Sequence, residues 1–207
     1  DTLESRVVIV ASGRSPRKLN VPGESDYIGK GVMYCATCDA PLFKGKKTAV
    51  VGGGNSAYTA AIQLIKVASQ VTIIEIEDSV RADEVFQEQV NAADNAKVLT
   101  STKVKEFNGD KLLKRAVIEN VKTGEESVLE AEGVFVEIGS NPAAGFIGGL
   151  LETNDAGEIK VKCDCSTNVE GIYAAGDVTD VPEKQIIVTA GHGATTALSE
   201  YRYFIRQ

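Results

Sequence analysis

Between Lys46 and Glu77 the spacing of apolar positions changes twice. Thr48 to Val51 is a short, valine-rich run, too short for a helix. After Gly52-Gly53-Gly54, residues Ala57, Ala60, Ala61, Leu64, Ile65 and Ala68 recur at helical spacing and leave one apolar face. "QVTIIE" then returns to a continuous apolar run. The switch predicts strand, tight turn, helix and strand, a βαβ unit with a parallel pair. A further helix is expected over Ala82 to Ala92. From 102 to 139 the pattern alternates in short runs broken by "NGD" and "KTGEE", which predicts an antiparallel meander closed by the buried strand "GVFVEIGSNP". Pro142 to Leu151, with Gly145, Gly148 and Gly149, reads as a linker. Residues 159 to 176 read as strand-like and Ile187 to Ile205 as a closing helix. Arg6 to Ala11 reads as a buried strand with so little chain before it that further sequence upstream is expected.

Composition bounds what these elements can do. With 207 residues, 43% hydrophobic and 25% charged, the chain can bury a sizeable core as one large domain or two small ones. A net charge of −7 argues against nucleic acid and against an anionic membrane surface as partners. No apolar run is long enough to span a bilayer and nothing resembles a signal peptide, so no membrane association and a cytoplasmic location are expected. Four cysteines are too few for a secreted disulfide scaffold, and a C-x-x-C in such a chain reads better as catalytic or metal-binding.

The turn Gly52-Gly53-Gly54-Asn55-Ser56-Ala57 fits G-x-G-x-x-A. Gly52 allows the tight turn, Gly54 lets the backbone approach a pyrophosphate, and the small Ala57 lets helix and strand come together. Asn55 and Ser56 open a helix whose free N–H groups point at the phosphates. Glu75, at the end of the next strand, is placed to accept hydrogen bonds from both ribose hydroxyls of the adenosine half and to repel a 2′-phosphate. Glu77 stands just behind it, and the nearest arginine is Arg81. NADH is therefore expected over NADPH.

Cys35 and Cys38 lie just before this unit in "CATCD". They could hold zinc, form a structural disulfide, or act as a redox dithiol. Zinc would need Cys163 and Cys165, whose C-x-C spacing in a strand suits a tetrahedral chelate poorly. No metal is expected. A dithiol on a helical turn, with Asp39 beside it as proton donor or acceptor, fits reversible disulfide chemistry. Electrons passing from a nicotinamide to a disulfide need a mediator, and flavin is the usual one. Asp177, after a buried run ending Ala-Ala-Gly176, suits a ribityl or phosphate contact. Gln185 and the following helix start could stabilise charge on a reduced flavin. His192, the single histidine, offers neither a triad nor a histidine metal cluster.

On these residues the chain resembles the low-molecular-weight thioredoxin reductases and the related flavoprotein subunit of alkyl hydroperoxide reductase. "VIVASG" resembles the family's A-T-G strand, with Ser12 for threonine before Gly13. "CATCDAPLFKGKKTAVVGGGNSA" resembles the active-site and dinucleotide segment, and "GIYAAGDV" and "KQIIVTAGHGA" resemble the flavin segments. The resemblance implies that Cys38 faces the flavin as the charge-transfer thiolate, that Cys35 exchanges with a partner disulfide, and that Asp39 is the acid–base group. It implies FAD contacts at Ser12, Gly13, Gly176, Asp177 and Gln185, a homodimer, and a thioredoxin-like, glutaredoxin-like or peroxiredoxin-type partner. The chain departs from NADPH-using members at Glu75-Ile76-Glu77, where they carry His-Arg-Arg. It also lacks the family's first glycine-rich FAD turn, so it resembles a fragment.

The expected fold is α/β: a Rossmann-like three-layer dinucleotide-binding domain with an antiparallel meander over residues 19–141, and part of an FAD-type α/β domain from residues 1–18 and 142–207. The expected function is electron transfer from NADH, or NADPH, through FAD and Cys35–Cys38 to a partner disulfide. A nucleotide-binding fragment without turnover, or a flavoprotein reductase with a different electron donor, are the alternatives.

Overall fold

The computed structural model describes residues 3–205. Its strands are β1 (Val8–Val10), β2 (Arg14–Pro16), β3 (Val32–Met33), β4 (Lys47–Val51), β5 (Gln70–Ile74), β6 (Ala96–Leu99), β7 (Thr102–Gly109), β8 (Leu113–Asn120), β9 (Glu126–Glu130), β10 (Gly133–Val136), β11 (Ser140–Pro142) and β12 (Ile172–Ala174). The helices are α1 (Glu24–Tyr27), α2 (Ala36–Asp39), α3 (Asn55–Ile65), α4 (Glu84–Asn91) and α5 (Ile186–Phe204). They form two compact units, one of Pro16–Gly139 and one drawn from the residues before and after it.

In the Pro16–Gly139 unit a parallel sheet runs in the order β3-β10-β4-β5-β6. Because alternate side chains of a strand point to opposite faces, each strand feeds two cores. Val50, Ile73 and Phe135 meet Tyr58 and Leu64 of α3 and Val90 of α4 on one face. Ala49, Val51, Ile74, Val134 and Val136 meet Val104, Phe107, Leu113 and Ile118 on the other. Those last residues come from the antiparallel sheet β7-β8-β9. The result is three layers: helices, parallel sheet, meander. β10 therefore leaves the meander and joins the parallel sheet beside β4. The expected Ala82–Ala92 helix begins later, at Glu84, because the N–H groups of Arg81 and Ala82 are held by the Gly53 carbonyl at 2.7 and 3.0 Å.

The second unit corrects several expectations. Its parallel pair β1–β12 matches Val10 with Ala174, and its core joins Val10, Ala144, Leu151, Ile159, Ala174 and Val178. Only Val10 of β1 is buried. Val8 and Ile9 are 46% and 43% exposed, since β12 is the strand's one partner among the described residues. The 142–151 stretch is no free linker, for it supplies Ala144 and Leu151 to the core. The 159–176 segment is a strand only at β12. Before it the chain turns over residues 162–166, where Cys165 N–H bonds the Lys162 carbonyl and Lys162 N–H bonds the Ser166 carbonyl. Cys165 adopts a left-handed φ of 63°. Cys163 and Cys165 thus do not share a strand face: the first is exposed and the second buried.

Candidate active site

The carboxyl ends of β4, β5 and β10 open into a cleft of about 830 Å³, within the usual span of cofactor sites. Gly52, Gly54, Asn55, Ser56 and Glu75 all line it. Ala57 is fully buried, and its methyl lies against Gly52. Gly52 has φ 131°, a conformation that favours glycine, and a Cβ there would come within 2.5 Å of the Glu137 carbonyl oxygen. Gly53 was not singled out by sequence, yet a Cβ there would lie 2.2 Å from Glu75 Oε2 and displace that side chain. Nothing crowds Gly54, the N-cap of α3. The first helical bond runs from Tyr58 N–H to the Gly54 carbonyl, and no side chain caps the N–H groups ahead of it. This bare glycine cradle at a helix start fits a pyrophosphate.

Glu75 is 4% exposed, and its Oε1 accepts the Glu77 N–H at 2.9 Å. Arg81 lines the same cleft. Its loop is fastened to the glycine turn by the two N–H bonds to Gly53 and by a reciprocal pair, Asn55 Nδ2 to Asp83 Oδ2 at 3.0 Å and Asp83 N–H to Asn55 Oδ1 at 2.8 Å. The cleft's near edge is Lys18, Leu19 and Val21. Buried Glu24 fixes that edge by accepting the Leu19 and Asn20 N–H groups at 2.9 and 2.7 Å, together with the Tyr34 hydroxyl at 2.8 Å. Burial, then the bond to Glu24, pushes the Tyr34 hydroxyl's pKa up.

Cys35 and Cys38 are joined by a disulfide. Neither they nor Asp39 line the cleft. Cys35 is half-buried and caps α2, its sulfur accepting the Cys38 N–H at 3.2 Å, while Cys38 is exposed. Glu137, which the sequence reading passed over, touches both places. It lines the cleft, and its carboxyl accepts the Ala36 N–H inside the C-A-T-C turn. Burial pushes its pKa up to about 7, against the downward pull of that bond. The signal was a single acid closing the apolar run "GVFV".

In the other unit, the parallel register of β1 with β12 puts Ser12-Gly13 and Gly176-Asp177 at neighbouring strand ends. Gly13 and Gly176 have φ of 72° and 75°. Ser12 gives its hydroxyl to the Ala143 carbonyl at 2.7 Å, so that proton is already committed. Asp177 Oδ1 accepts the Thr189 hydroxyl at 2.8 Å, and Gln185 is the N-cap of the 19-residue α5 without a side-chain cap bond. Polar groups and free N–H donors at these strand and helix ends fit a phosphate- or ribityl-bearing group.

The pyridine nucleotide-disulphide oxidoreductase family matches residues 1–197. The chain is 44% identical over 204 residues to an alkyl hydroperoxide reductase subunit of Staphylococcus aureus, a match that covers 99% of this chain and 40% of that protein. It is similar to a thioredoxin reductase structure from Streptococcus pyogenes, with a TM-score of 0.92 and 37% identity, covering 97% of this chain and 66% of that one. A thioredoxin reductase from Giardia duodenalis has a TM-score of 0.87 and 33% identity, with 96% and 66% coverage. The chain thus spans about two-fifths of the curated relatives it matches. A glycine cradle beside a carboxylate, a disulfide in a C-A-T-C turn and these likenesses together show that the chain belongs to the pyridine nucleotide-disulphide oxidoreductase family, among the low-molecular-weight thioredoxin reductases and alkyl hydroperoxide reductase flavoproteins.

Proposed function

We propose that the protein carries electrons from a nicotinamide dinucleotide, through FAD, to Cys35–Cys38 and then to the disulfide of a thioredoxin-like, glutaredoxin-like or peroxiredoxin-type partner. The observation that carries this reading is the closed Cys35–Cys38 disulfide in the same compact unit as the glycine cradle. Residues 19–141 would form the nicotinamide domain; residues 1–18 and 142–207 would form part of a flavin domain in a soluble, cytoplasmic homodimer. FAD, when bound, supplies the step from two-electron hydride to thiol. Gly13, Gly176, Asp177 and Gln185 would hold it, with Ser12 acting through its backbone. Half-buried Cys35 would exchange with the partner disulfide and exposed Cys38 would face the flavin, while Asp39, directly after Cys38, would hand a proton to the thiolate released when the disulfide opens and take it back when it closes. Counting thiols before and after mild reduction tests the dithiol. Two more should appear, mapping to Cys35 and Cys38; none, or a pair elsewhere, overturns the reading.

The dinucleotide reading favours NADH. Glu75 meets the 2′ position with a negative charge, and Arg81 on the same cleft offsets part of that repulsion. A preference for NADH of about tenfold is expected, narrower than a lone carboxylate would give. Glu75→Ala should shrink that gap and Arg81→Ala widen it, as read by calorimetric titration with both nucleotides. A preference for NADPH would mean that Arg81 decides the choice.

A further inference from the structure

Glu137 is clamped beside the glycine turn from both sides of its backbone. Its N–H bonds the Val51 carbonyl at 2.8 Å, and its own carbonyl lies where a Cβ on Gly52 would have to go. The four residues before it are all buried, so the strand sets Glu137 at a fixed place on the cleft wall. The Ala36 N–H then holds that carboxyl. Glu75 follows β5 on one side of β4, and Glu137 follows β10 on the other. A dinucleotide on such a sheet lies across the carboxyl ends of the strands with its pyrophosphate on the glycine turn. If Glu75 reads the adenosine ribose, the nicotinamide half lies over β10.

The two redox forms differ in charge at that half alone: the oxidised ring is a cation and the reduced ring is neutral. We propose that Glu137 is the residue that distinguishes oxidised from reduced nicotinamide, its carboxylate drawing the cationic ring and leaving the neutral one nearly untouched. This rests on the dinucleotide reading of the cleft. Its consequence is thermodynamic. Holding NAD+ more tightly than NADH makes the bound couple a stronger reductant than the free one, so the reaction NADH → NAD+ + H+ + two electrons is easier in the cleft than in water. The other ionisable groups lining the cleft are Lys18, Glu75, Arg81, Lys103 and Lys105, and Asp39 closes the turn that carries Ala36. Lys103 and Lys105 are already paired with Glu119 at 2.9 and 3.0 Å. Burial is the larger influence on Glu137, pushing its pKa up against the opposing pull of the Ala36 backbone.

The test is calorimetric titration of the chain with NAD+ and with NADH at pH 6 and pH 8. Wild type should bind NAD+ several times more tightly at the higher pH, with NADH little changed. Glu137→Gln keeps an oxygen for the Ala36 N–H and should weaken NAD+ about tenfold at pH 8, NADH less than about twofold, and remove the pH dependence. Glu137→Ala should do the same, with circular dichroism confirming that both variants fold. Equal losses for the two redox forms, or a pH dependence that survives in Glu137→Gln, would overturn the proposal and leave the dinucleotide reading standing. Failure of wild type to bind either form would overturn both.

Discussion

The two units bury their apolar side chains very differently. In the Pro16–Gly139 unit the parallel sheet is covered by helices on one face and by the meander on the other, and Ala49, Val50, Ile73, Ile74, Val134 and Phe135 are all fully buried. In the other unit β1 leaves Val8 and Ile9 open, and α5 exposes Ile186 at 85% and Ile187 at 80%, together with Leu198 and Tyr201, with Ile205 exposed just past its end. The same kind of apolar pattern therefore ends in two fates. A run of valines and isoleucines states that a strand wants cover on its faces; whether cover exists depends on which neighbours the chain brings.

The strongest way to break the comparison is a truncation in the covered core. Leu64 is fully buried on the helix side, so Leu64→Ala should cost about 2–5 kcal/mol of stability by urea denaturation. A loss near zero would mean that the two-sided core does not dominate stability. The next effect is a pH dependence carried by Glu137. Its carboxyl titrates at about 7 when folded, against 4.5 for the free group, because burial disfavours its charge. The folded state thus binds the proton more tightly. The stability this confers is fully present below pH 4.5 and is lost as pH rises through 7. Glu137→Gln escapes that loss, so its stability relative to wild type should rise by about 1–3 kcal/mol between pH 4.5 and pH 8. A constant difference across that range would show that burial does not control the group. The smallest effect is on the open face of α5. Ile187→Ser should move stability by no more than about 0.5 kcal/mol while reducing binding of a hydrophobic dye. A loss as large as that of Leu64→Ala would mean that Ile187 is covered.

What was legible in the sequence followed from local rules. The strand, glycine turn, helix and strand from β4 to β5 were readable because the period of apolar positions changes where the backbone changes, and Gly52 stands where a side chain would collide. The disulfide pair was visible as spacing. Glu137 was not, since one acid at the end of an apolar run is indistinguishable from an ordinary strand end until β10 is seen beside β4 and Ala36 above it. Gly53 was hidden for a similar reason: its constraint comes from Glu75, twenty-two positions away. Cys163 and Cys165 misled in the opposite direction. Their alternation fits a strand, but the left-handed backbone at Cys165 and the hydrogen bonds over residues 162–166 make a turn.

The loop between Glu75 and Asp83 is tied down largely through its main chain. Glu77 donates its N–H to the Glu75 carboxylate and its carbonyl accepts the Ser101 N–H, and Arg81 and Ala82 donate their N–H groups to the Gly53 carbonyl. None of these bonds asks what side chain Ile76, Glu77, Asp78, Ser79, Val80 or Arg81 carries. Apart from Val80, which packs against the helix-side core, and Asp78, which pairs with Lys122 at 3.6 Å, a lineage can therefore rewrite these positions without disturbing the scaffold that presents them, trading acids for bases one substitution at a time. Where this loop reads the nucleotide, as proposed above, the preference is an exchangeable cassette, open to drift while the fold around it stays under constraint.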